Sequence, residues 1–234
     1  DIEKIGKAIM STTESNGFIY DKDADGIVTV TMDMDGPVNA MNAQYRAAMA
    51  ETVTRLEQET NLAGVIFASA KSTFFAGGDI KEMLAVEKGQ EGPQFQQIES
   101  IKGNLRRLEK LQAPVVAAIN GAALGGGLEI CMGCNHRIIW DSPKAVIGYP
   151  EVTLGLLPGA GGIVRTIHML GLEKALPHVL EGRRLKPAEA LEAGLVNQVI
   201  EDVEQLIPAA KTWIKANPEA WAQPWDIKGH RIPG

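Results

Sequence analysis

Three runs constrain this fold most: AGVIFAS (63–69), VVAAIN (115–120) and RIIW (137–140) are apolar at nearly every position. A strand with one wet face alternates apolar and polar residues, so a run without alternation marks a strand buried on both faces. GFIY (17–20), IVTVTM (27–32), KAVIG (144–148) and VNQVI (196–200) add further β-type segments. Between the strands the period becomes helical. One helical stretch covers about 43–58, and Ile98, Ile101, Leu105, Leu108 and Leu111, spaced 3, 4, 3 and 3 apart, form a stripe along another. Residues 163–215 are mostly helical, the last helix covering 203–215. Strands alternating with helices predict an α/β architecture. The length of 234 residues, with 45% apolar and 22% charged, suits an ordinary globular core.

Charge and composition exclude several classes of function. With 23 Lys+Arg against 29 Asp+Glu the net charge is −6, which argues against binding nucleic acid. No apolar run approaches the ~18–20 residues of a membrane span. The opening DIEKIGKAIM lacks the basic start and apolar core of a signal peptide. Two cysteines make no disulfide framework, which points to a reducing compartment, the cytoplasm. The chain begins with Asp and closes on WAQPWDIKGHRIPG, a stretch of neither helical nor strand period. The expected layout is a domain over 1–216 and a linker-like tail over 217–234.

Some motifs look like chemistry and are read otherwise. DKDADG (21–26) matches the first half of a calcium loop, but Met32 stands where the bidentate Glu belongs and a strand pattern follows. It is read as a turn between two strands. Cys131 and Cys134 have CxxC spacing without a second ligand pair, inside the apolar run LEICMGC, and are read as core. His136, His168, His178 and His230 have no triad-like grouping around them.

Two glycine-rich segments remain, STFFAGGDIKEM (72–83) and INGAALGGGLEI (119–130). The second follows a buried strand and precedes a helical run, an order that leaves free N–H groups for an anion or a polarised carbonyl. Neither contains the G-x-G-x-x-G or G-x-x-x-x-G-K-[ST] pattern of a nucleotide site. Spacing alone leaves an oxyanion site and a tight packing turn equally open. Two carboxylates tip the balance: Glu129 directly after GGGL, and Glu151 after the proline of YPEVTLGLLPGAGG. A Glu among apolar neighbours has a raised pKa, which suits acid–base work near neutral pH. Taken alone, each reads more readily as a helix-dipole or capping carboxylate than as a catalyst.

At these residues the sequence resembles the crotonase (enoyl-CoA hydratase/isomerase) superfamily. GPVNAMNA (36–43), FFAGGDIKEM (74–83), NGAALGGGLEICMGCNHRI (120–138), GYPEVTLGLLPGAGGIVR (148–165) and GRRLKPAEALEAGLVNQVI (182–200) carry the resemblance, which covers about 17–216. It implies an α/β fold, a spiral of repeated ββα units with a helical C-terminal part. It places an oxyanion hole at the N–H groups of Gly78 and Gly126 and the catalytic pair at Glu129 and Glu151. Contacts to CoA map to Ala40, Met41, Gly78, Asp79, Ile80 and Lys81, with Lys71 or Lys81 as candidates for the 3′-phosphate. Two residues more than the family's usual spacing separate the glutamates, around WDSPKA.

The resemblance implies hydration of a trans-2-enoyl-CoA in fatty-acid β-oxidation, with Glu129 handling the water and Glu151 protonating C2. It implies no metal or nucleotide cofactor, CoA being part of the substrate. The tail resembles the junction of multifunctional proteins in which a 3-hydroxyacyl-CoA dehydrogenase follows, which adds a covalent dehydrogenase domain, a thiolase subunit and a homo-oligomer as candidate partners. A Δ3,Δ2-enoyl-CoA isomerase relying on Glu151 is the nearest rival. A non-catalytic acyl-CoA-binding module is a reading of another class.

Overall fold

The computed structural model describes residues 11–234; the side chains of residues 11–13, Ile80 and Lys81 lie outside the description, as does the opening DIEKIGKAIM. A seven-stranded sheet forms the body. Its strands in chain order are β1 (Ser11–Ser15), β2 (Phe18–Lys22), β3 (Ile27–Met32), β4 (Gly64–Ser69), β5 (Val115–Ile119), β7 (His136–Trp140) and β10 (Gln198–Ile200), adjacent in that order. The first three pair antiparallel, and every later pair is parallel. A small sheet of β6 (Ala123–Leu124), β8 (Ile147–Gly148) and β9 (Arg184–Leu185) stands beside it. The mixed α/β fold with a mostly parallel sheet is the expected one.

The apolar runs are explained by what covers each face. Val65, Phe67, Val115 and Ala117 belong to the core beneath α1 (Ala43–Gln58) and α3 (Glu91–Glu109). Their alternates Ile66, Ala68, Val116 and Ala118 pack on Leu206, Ala210 and Ile214 of α8 (Leu206–Ala216). Each fully buried aliphatic side chain contributes about 1.5–3 kcal/mol, so neither face tolerates a polar residue cheaply. Along the stripe on α3, Leu105 and Leu108 are fully buried, whereas Ile98 and Ile101, a turn earlier, line a cavity.

Two segments that carry no reading in the sequence form elements, and one expected strand is shorter. The hairpin into β2 was not foreseen, because STTES is polar; Asn16 and Gly17 turn it with φ of 52° and 78°, as a two-residue hairpin needs. KAVIG forms a strand only at Ile147–Gly148, since Ala145 donates back to the Ser142 carbonyl and closes a turn. The helix α3 begins at Glu91, within a segment whose hydrophobic pattern signals no conformation. DKDADG, by contrast, is the turn between β2 and β3, closed by N–H groups of Asp25 and Ile27 donating to Asp23.

Residues 217–234 have no long element, but they lie on the body. Asn135 donates to the Trp221 carbonyl, Gln223 donates to the Gly133 carbonyl, and Asp226 pairs with Arg106 and Lys110. Among the described residues no helix is long and apolar enough to cross a membrane.

Candidate active site

β6 ends at a sharp turn into α4 (Gly126–Met132), made by Gly125 with φ of 53°. A side chain at position 125 is strained by the backbone angle, and its Cβ, 2.5 Å from Oε1 of Glu151, would push that carboxyl aside. The turn delivers Glu129 from the first turn of α4 into a buried position, 2% exposed. Its Oε1 accepts the N–H groups of Ala160, 2.7 Å, and Gly162, 2.8 Å. Both donors flank Gly161, whose φ of 98° turns them to the same side at the start of α5 (Gly162–Leu170). Among the described residues no protein donor meets Oε2.

Glu151 arrives differently, on the 3-10 helix Pro150–Leu154. Its Oε2 is buried and meets no hydrogen-bond partner among the described residues. Burial raises the pKa of both carboxyls. For Glu129 burial is the largest cause, the neighbouring charge of Glu151 adds to it, and the two backbone donors oppose it, leaving a value of about 7. Glu151 is raised chiefly by burial. Two carboxyls near one another, one pinned and one unpartnered, are suited to hold one proton between them at neutral pH.

The two glycine loops meet here. Phe75 donates to Ala122, Leu124 to Phe75, Ala76 to Asn39 and Met41 to Gly77, so the 74–79 loop is stitched on both sides. Among the described residues the N–H groups of Gly78 and Gly126 donate to no protein acceptor. Both glycines, with Met41, Asp79, Glu129 and Glu151, line a cavity of about 470 Å³. Ile98, Leu124, Leu154, Leu156 and Leu157 make its apolar walls. A 2.5 Å ion pair, Arg46 with Glu82, also lies along it.

The other proposed contact residues lie apart or act otherwise. Ala40 is half-buried but does not line the cavity. Ile80 and Lys81 open α2 (Ile80–Leu84), and their side chains lie outside the described residues. Asp79 also accepts the Glu82 N–H, holding the start of α2. Lys71 is paired with Asp33 at 2.7 Å. Cys131 and Cys134 are buried free thiols, the latter pushed by burial up to about 12. Among the described residues no cluster of three or more His, Cys, Asp or Glu side chains is placed to hold a metal.

Sequence reasoning missed two kinds of support. Asn39, fully buried, accepts from Met34 N–H and donates to Ser69 Oγ and the Phe74 carbonyl, so one side chain ties the segment after β3 to the end of β4 and the start of the 74–79 loop. Its signal is an Asn amid apolar residues in PVNAM. The second is the N–H pair of Ala160 and Gly162, which no side-chain motif announces; the PGAGG turn is its only trace.

Comparison with known proteins agrees with the geometry. The profile of a family described as enoyl-CoA hydratase/isomerase matches residues 22–225. The fatty acid oxidation complex subunit alpha of Idiomarina loihiensis is 35% identical over 221 residues, 93% of this chain and 30% of that protein. The subunit of the same name from Shewanella frigidimarina is 39% identical over 180 residues, 75% of this chain and 25% of that protein. The chain therefore spans only 25–30% of the length of these relatives. Among solved structures, an enoyl-CoA hydratase from Bacillus anthracis superposes with a TM-score of 0.77 at 31% identity, over 86% of this chain and 76% of that one.

Proposed function

This chain belongs to the enoyl-CoA hydratase/isomerase family, and from that premise we propose that it adds water, syn, to a trans-2-enoyl-CoA to give the 3-hydroxyacyl-CoA. One observation carries the reading: two buried carboxyls held on unlike terms share a single apolar-walled cavity with two unused N–H donors. The N–H groups of Gly78 and Gly126 receive the thioester oxygen. As hydroxide-like oxygen bonds to C3, negative charge moves to that oxygen and the donors stabilise it, an effect worth roughly 2.7–4 kcal/mol per donor elsewhere. In the reactive arrangement the one proton the pair holds sits on Glu151: ionised Glu129 takes the proton that water gives up, Glu151 delivers its own to C2, and the proton then passes from Glu129 to Glu151 to restore that arrangement.

A second reading is favoured by the bare Oε2 of Glu151. An unpinned carboxyl can take a proton from C2 and return it at C4, which is Δ3,Δ2 isomerisation with Glu129 as a bystander. The relatives' names support placing either reaction in fatty-acid oxidation, and their greater length leaves room for a further domain, which we take to be a 3-hydroxyacyl-CoA dehydrogenase consuming the hydrated product. CoA enters as part of the substrate, and no metal or nucleotide cofactor is required.

The test is loss of the enoyl-thioester absorbance of crotonyl-CoA, beside Glu129→Gln and Glu151→Gln. Collapse in both variants supports hydration. A 3-enoyl-CoA that still isomerises in Glu129→Gln but not in Glu151→Gln supports the second reading. A wild-type chain that binds a CoA thioester without turnover of either substrate leaves a binding module.

A further inference from the structure

The donors that hold Glu129 are themselves held. Arg165, on the first turn of α5, folds back so that Nη1 donates to the Ala160 carbonyl at 2.9 Å and fills the place a Cβ at Gly161 would take. Ala160 is the residue whose N–H meets Glu129. The guanidinium is 9% exposed, and its charge is met by Glu109, 1% exposed, with Nε to Oε1 at 2.5 Å. The other oxygen of Glu109 accepts from Arg106 at 2.8 Å. Arg106 in turn grips Asp226, one bond being 3.0 Å, and Lys110 reaches the same carboxylate.

We propose that Arg165 is a positioning residue for Glu129, acting through Ala160, and that the relay Glu109–Arg106–Asp226 sets its grip from the docked 217–234 segment. The inference rests on the catalytic role given to Glu129 above. A buried guanidinium needs a counter-charge to stay in place. Here that counter-charge is shared along a line ending in Asp226, so displacing the tail alters how firmly Arg165 holds the 160–162 turn. The turn donates both hydrogen bonds that orient Glu129 Oε1. Misplacing a reacting group by about 1 Å costs on the order of 100-fold in rate, so such a support acts on turnover rather than on binding.

The experiment uses the full chain with glutamate labelled by carbon-13 at the carboxyl, the Glu129 resonance being assigned by its loss in Glu129→Gln. Around Glu129 the ionisable groups are Glu151, Arg165, Tyr45 and Tyr149. Its titration is followed in Arg165→Met, in Arg165→Met/Glu109→Gln and in Asp226→Asn, each verified as folded by thermal unfolding. Expected is an upward move of the Glu129 midpoint in both Arg165 variants and a smaller one in Asp226→Asn. Crotonyl-CoA hydration should lose about 10- to 100-fold in kcat with Arg165 replaced, with KM changed by less than about threefold. Should Arg165→Met fail to fold, the double variant, which removes both buried charges, and Asp226→Asn decide the matter. An unmoved midpoint in the folded variants overturns the proposal, as does a wild-type kcat in an Arg165 variant when the wild type hydrates. Because the Arg165 charge also acts on Glu129 directly, a midpoint that moves in Asp226→Asn in a chain that hydrates nothing is what supports the positioning while the hydration reading fails.

Discussion

Glu129 is the residue where function and stability pull apart. Burial holds its carboxyl near 7, against an ordinary glutamate value of 4.5. Between those values the folded chain keeps a proton that the unfolded chain has released. Stability therefore falls as pH rises across that window, by roughly 3 kcal/mol at the full shift. Glutamine keeps an oxygen for the Ala160 and Gly162 donors and never ionises. Glu129→Gln is expected to be more stable than wild type at pH 8, by up to roughly 3 kcal/mol, and little different at pH 5. Urea unfolding at the two pH values measures this; equal stabilities at pH 8 would show that the buried charge is solvated. In the proposed hydration the same titration acts on activity with the opposite benefit: the form of Glu129 that would activate water is ionised, so kcat/KM should fall as pH drops through about 7, an inflection that belongs to the Glu129–Glu151 pair jointly. A rate profile for crotonyl-CoA flat from pH 6 to 8 would contradict it.

At the scale of elements, α8 lies against β4 with no room to spare. Gly64 opens β4, and a Cβ there would stand 2.5 Å from Cγ2 and 2.9 Å from Cδ1 of Ile214, which is itself 1% exposed. Gly64→Ala should destabilise by about 1–3 kcal/mol. Adding Ile214→Val removes Cδ1 and should return part of that loss, giving a double-mutant cycle with favourable coupling. Additive effects in chemical denaturation would mean that the helix shifts instead of clashing. The example also marks what a sequence reader can see. AGVIFAS and VVAAIN announced two covered faces because burial on both sides leaves no polar alternate. Glu129, Glu151 and the glycines around them were legible because each breaks an otherwise apolar pattern. STTES was silent since an edge strand pairs through its backbone, and the Ala160 and Gly162 donors were silent because a backbone N–H has no letter. Which helix covers which face, as Ile214 covers Gly64, is long-range packing that periodicity cannot carry.

For the molecule as a whole, the question is whether 1–216 is a unit apart from the segment that follows. The tail was read as linker-like from its irregular composition, and its local structure is indeed little more than the 3-10 helix Pro224–Asp226. Its contacts reach two separate parts of the body. The first is the turn after α4, where Gln223, 3% exposed, caps the Gly133 carbonyl and Asn135 holds the Trp221 carbonyl. The second is α3 and α5: Asp226 binds Arg106 and Lys110 of the α3 end, and Trp225 stands beside His168 on α5 with ring centroids 5.9 Å apart. Removing the segment strands the half-buried Asn135 amide and leaves Arg106 to Glu109 alone. With a net worth near 1 kcal/mol for each of the two neutral hydrogen bonds, and about 1 kcal/mol for the partly exposed Asp226 ion pairs together, truncation after Ala216 should cost about 3 kcal/mol. For a chain of this size that is a fall in Tm of roughly 6–12 °C. Differential scanning calorimetry of the two lengths at pH 7 measures it. A truncated chain that melts with the wild type would make the tail a passenger on this surface, whereas the expected fall makes it part of the domain.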